Sequence, residues 1–69
     1  MFETVSVGQV RKGQIIRWGM QDWIVQKAET NILGQMDIWL IAPGEPGRPK
    51  HGHMTFNEDE FKNELWLIS

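Results

Sequence analysis

The chain has 69 residues, 41% hydrophobic and 23% charged, which supports one folded domain with one core and excludes both a disordered chain and an enzyme with separate cofactor and substrate domains. A formal net charge of −2 excludes a global attraction to nucleic acid or anionic lipid and leaves only a local basic patch for such a role. Cysteine is absent, so neither disulfides nor thiolate metal sites supplement the core, and the rings of Trp18, Trp23, Trp39 and Trp66 must supply much of the buried apolar area. No basic segment with a long apolar run opens the chain and no apolar stretch reaches membrane-spanning length, so a cytoplasmic protein without a membrane role is expected.

In chain order, the pattern is one of short apolar runs separated by glycine-containing turns. Residues 2–10 form a first strand whose Val5, Val7 and Val10 line an inner face, and residues 11–14 a turn. Residues 15–18 and 23–28 pair as a hairpin across a Gly19–Asp22 loop, with Trp18 and Trp23 stacked across it. After a break at 30–34, residues 35–42 alternate with period two, so that Met36, Ile38, Leu40 and Ala42 face the core and Asp37, Trp39 and Ile41 face outward.

Residues 43–54, PGEPGRPKHGHM, hold all three prolines and both histidines. They read as a semi-rigid, mildly basic loop, because proline lacks a ladder donor and fixes its own backbone. A short strand at 53–56 follows. Asn57 is a suitable N-cap, Glu58, Asp59 and Glu60 complement a helix N-terminus, and Phe56 with Phe61 has the spacing of a hydrophobic staple, so a short helix is expected at about 58–64. Residues 66–69 extend that helix or add a closing strand.

These elements predict a mainly β fold, a small SH3-like antiparallel barrel of four or five short strands with one short helix, spanning 1–69 as a single domain. Val10-Arg11-Lys12-Gly13-Gln14-Ile15-Ile16, followed by Trp23-Ile24-Val25, resembles the opening of SH3-like barrels in translation factors and related domains. The resemblance covers residues 10–25 and implies a strand–turn–strand start; it carries no function and no site.

These residues suggest three chemistries. His51 and His53, two apart in an extended segment, point to the same side and are the only pair of good metal ligands, but they lack a local third ligand, so no metal and no cofactor is expected. Arg48, Lys50, His51 and His53 beside an exposed tryptophan have the makings of a single-stranded nucleic-acid surface. Trp39 and Ile41, on the face opposite a complete core face, suit a protein partner or a second copy of the chain. A nucleophile with its base, a carboxylate pair and a phosphate-cradling loop are all missing, so no enzyme is expected.

The expected function is a non-enzymatic binding module acting through a protein–protein surface, a small accessory or inhibitory protein of phage or mobile-element type. The alternative is a nucleic-acid-binding barrel using loop 43–53 and an adjacent tryptophan. Candidate binding residues are Trp39, Ile41, Arg48, Lys50, His51 and His53.

Overall fold

A computed structural model of the chain describes residues 3–45 and 47–68. Phe2, Pro46 and Ser69, which fall in the expected first strand, loop and tail, lie outside the described residues. Six antiparallel strands form one sheet: β1 (Glu3–Ser6), β2 (Ile15–Trp18), β3 (Gln21–Thr30), β4 (Met36–Glu45), β5 (Arg48–Phe56) and β6 (Glu64–Leu67), in spatial order β1-β6-β2-β3-β4-β5. The mainly β expectation is met. The expected closed barrel of four or five strands is not formed: there are six strands among the described residues, and β1 and β5 stand unpaired with each other at the two ends of the sheet. The two edge strands do not match in length, β1 having four residues and β5 nine.

Apolar side chains are buried because the sheet bends over itself. The first part of β3 pairs with β2, from Trp18↔Gln21 to Ile15↔Ile24, while its remainder follows β4 to Thr30↔Met36. Between those parts the register shifts at Val25/Lys27, and such a bulge bends the strand and increases its twist. The inner face then forms one cluster in which Val5, Ile16 and Leu65 from one half meet Ile38, Leu40 and Phe56 from the other. The Trp18 ring meets the Phe56 ring edge-on at 6.3 Å, joining β2 to β5. The smallest dimension of the molecule is 18 Å, which suits two layers about 10 Å apart.

In β4 the alternating residues Met36, Ile38, Leu40 and Ala42 are all buried, as period two requires. Burying a side chain such as Ile38 contributes about 1.5–3 kcal/mol. Val5, Val7 and Val10 are buried as well, although Val7 and Val10 belong to a single 3₁₀ turn, Val7–Gln9, and its exit rather than to the strand.

The helix expected at 58–64 is absent. A single 3₁₀ turn, Glu58–Glu60, forms in its place, held by Glu60 Oε1 accepting from the Asn57 N–H at 3.0 Å. The capping chemistry is therefore real, but the chain cannot continue as a helix. The N–H groups of Gly8 and Val7 donate to the carbonyls of Phe61 and Asn63 at 3.1 and 2.8 Å, which draws the segment into the extended β6 and pairs Leu65 with Val5 on the inner face. The tail is thus an interior strand between β1 and β2.

The long loop expected at 43–54 is also largely absent. β4 runs to Glu45, β5 starts at Arg48, and Glu45 pairs with Arg48 around a tight reversal in which Gly47 has φ +78°. Pro43 is accommodated because it falls within the register shift between Ala42 and Glu45, where the ladder is already interrupted. The β2–β3 reversal is tighter than expected as well, through Gly19 and Met20, both at positive φ. Trp18 and Trp23 do not stack across it; the Trp23 indole N–H donates to the Trp18 carbonyl at 3.1 Å, and the Trp18 ring turns to Phe56.

Candidate functional site

Antiparallel register partners share a face, so the buried residues fix which side of each strand is outer. On β4 the outer positions are Asp37, Trp39 and Ile41, opposite Thr55, His53 and His51 of β5. On the other flank of β4, Ile41 meets Ile24, and Trp39 meets Lys27 across the bulge. Ile24 in turn meets Ile15 of β2, and two residues further along β2, Arg17 stands beside both Asp22 and Trp66. A row of isoleucines, Ile15–Ile24–Ile41, thus crosses three adjacent strands, with Trp66 near one end and Trp39 near the other.

Ile24, at the middle of the row, is 40% exposed and Trp66 53%, while Ile15 and Ile41 are half-buried. Charged pairs border the row. Arg17 Nε meets Asp22 Oδ1 at 2.8 Å, and that hydrogen bond together with the carboxylate charge raises the Arg17 pKa further. Lys27 Nζ lies 3.4 Å from Glu29 Oε1.

Trp39 does not lie bare on this face. The His53 ring stacks on it at 4.8 Å with 17° between the planes, and Lys27 Nζ lies over the ring 5.0 Å from its centre. Because β4 runs between β3 and β5, these two partners flank the indole from opposite sides. The Lys27 cation–aromatic contact contributes about 0.5–1 kcal/mol. His53 is anchored below by Asp37, with Nε2 at 3.3 Å from Oδ1. Asp37 also accepts from Thr55 Oγ1 at 2.7 Å and from Asn31 Nδ2 at 3.2 Å. The Thr55 hydrogen bond, assisted by Asn31 and His53 against partial desolvation, holds the Asp37 carboxyl below its ordinary pKa.

Of the six residues expected from sequence, the structure brings Trp39, Ile41, His51 and His53 together on the outer face of the β4–β5 hairpin. Lys50 pairs with buried Ala42 and falls on the opposite side by alternation, while Arg48 lies at the hairpin end opposite Glu45. The basic pair and the tryptophan therefore do not form one patch. His51 and His53 share a face, as expected, but among the described residues no group of three or more metal-ligating side chains forms.

Sequence reasoning missed Ile15, Ile24 and Trp66, whose outer placement depends on strand order and on the bulge in β3. It also missed a second apolar point. Asn31 Oδ1 accepts from the N–H groups of Leu33 and Gln35 at 2.9 and 3.0 Å, an arrangement that sets the 31–35 turn and leaves Ile32 and Leu33 fully or largely exposed at its tip. That tip is separated from the isoleucine row by most of the length of β3. No helix among the described residues is long and apolar enough to cross a membrane. Comparison with protein-family models, with curated proteins and with solved structures finds no match in any of the three.

Proposed function

We propose that this protein is a non-enzymatic binding module that docks a protein partner on its outer sheet face, with Ile15, Ile24 and Ile41 as the apolar centre and Trp39, Trp66 and the Arg17–Asp22 pair at the margin. The observation that carries this reading is the isoleucine row on the outer face, exposed at Ile24 and half-buried at Ile15 and Ile41, on a sheet whose core face is already complete. An apolar centre with aromatic and charged residues around it is the usual composition of a protein interface. Cytoplasmic work as a small accessory or inhibitory protein of phage or mobile-element type, and an SH3-like kinship of the bent sheet, belong to the same proposal. They are supported by the absence of cysteine, by the small single core and by the strand–turn–strand opening at residues 10–25.

The alternative, a single-stranded nucleic-acid surface, needs an open ring on which a base stacks. Lys27 and His53 occupy both flanks of Trp39, and Arg48 and Lys50 lie away from it, which favours the protein-binding reading. Two measurements test the choice. Affinity capture with Trp39→Ala as control is expected to recover a protein with the wild type and less of it with the variant, which stays folded because Trp39 lies outside the core. Titration with single-stranded and duplex oligonucleotides at low salt is expected to show no binding; a salt-sensitive complex lost in Trp39→Ala would replace the protein-binding reading with the alternative.

A further inference from the structure

We propose that the free edge of β5 pairs antiparallel with β5 of a second copy of this chain, joining the two sheets into one. β5 is the last strand of the sheet and, at nine residues, far longer than the opposite edge strand β1 at four. Its outer edge presents backbone donors and acceptors that have no strand partner among the described residues, and such an edge is a template for another strand.

What selects a second copy is the charge written along the segment. Arg48 and Lys50 stand at the start of β5, and Glu58 and Asp59 follow its end, all four exposed. None of these four takes part in an ion pair among the described residues. Antiparallel pairing about a two-fold axis near His53 lays the basic start of one strand beside the acidic turn of its mate, twice per dimer. Parallel pairing would set like charge beside like. Pro49 has no N–H to donate, so the ladder is confined to residues 51–56. Lysine and proline on an edge discourage indiscriminate pairing, and here the copy supplies the acidic turn that answers them. The interaction is isologous, the closed arrangement expected of a homodimer. It uses the edge of the sheet and is independent of the docking face proposed above.

Sedimentation equilibrium of the full chain over a range of concentration and salt tests this. A monomer–dimer equilibrium that weakens with salt is expected. Arg48→Glu with Lys50→Glu should raise the dimer Kd by about tenfold or more, and adding Glu58→Lys with Asp59→Lys in the same chain should bring it back, a rescue that a merely unfolded variant cannot give. Ile24→Lys, on the outer face, should leave the Kd unchanged. A chain that stays monomeric at every concentration, a dimer indifferent to the charge reversals, or a dimer abolished by Ile24→Lys would each overturn the proposal.

Discussion

Met20 has φ +63° and is fully exposed at the β2–β3 reversal, so its side chain pays a left-handed backbone penalty with no packing in return. The penalty is about 1–2 kcal/mol, and glycine's greater freedom in the unfolded chain costs about 0.5–1 kcal/mol. Met20→Gly should therefore stabilise the fold by about 0.5 kcal/mol, seen as a rise of about 3 °C in Tm. Asp37 makes a prediction of opposite character. Its folded pKa lies below the unfolded one, chiefly through the Thr55 hydroxyl, so its contribution is complete above the unfolded carboxylate pKa, about 3.9, and is lost as pH falls from there through the folded value. Asp37→Asn should flatten the acid limb of a stability–pH profile, and Thr55→Val should move the Asp37 carboxyl titration upward when followed by NMR.

At the scale of elements, two devices set the sheet. The 31–35 turn rests on Asn31, whose amide serves Leu33, Gln35 and Asp37 at once. Asn31→Ala should cost about 1–2 kcal/mol and speed amide exchange at Leu33 and Gln35. Gly52 lets the bent sheet close on Trp23: a Cβ there would stand 3.3 Å from the Trp23 ring and 3.7 Å from Leu40. The ring is held by its own hydrogen bond to the Trp18 carbonyl and has little room to give. Gly52→Val should thus destabilise by about 1–3 kcal/mol in denaturant titrations, despite valine's preference for strands.

These elements show how much was legible in the sequence. The alternation at 36–42 was readable because a strand with one buried face repeats every two residues, and the acidic turn after Asn57 was readable because capping is local. The fate of residues 61–65 was not, because the N–H groups of Val7 and Gly8, far away in sequence, bond the carbonyls of Asn63 and Phe61. Nor was the hairpin 45–48, where proline and glycine marked a reversal but not its tightness. Period two put Trp39 with Ile41 and His51 with His53, but bringing the two pairs onto one face required the β4–β5 register, and the isoleucine row required the strand order β2-β3-β4 and the register shift in β3.

At the scale of the whole molecule, one bend does two things: it buries the inner face of a six-stranded sheet in its own core, and it leaves the other face open with an apolar row across its middle. The docking role of that face is the central claim, and Ile24→Lys with Ile41→Lys tests it most directly. Both side chains lie outside the core cluster, so the variant should lose no more than about 1 kcal/mol of stability. Affinity capture with wild type and variant, each shown to be folded by its thermal transition, is predicted to recover a protein partner with the wild type and none with the variant. Equal recovery by a folded variant would contradict the account.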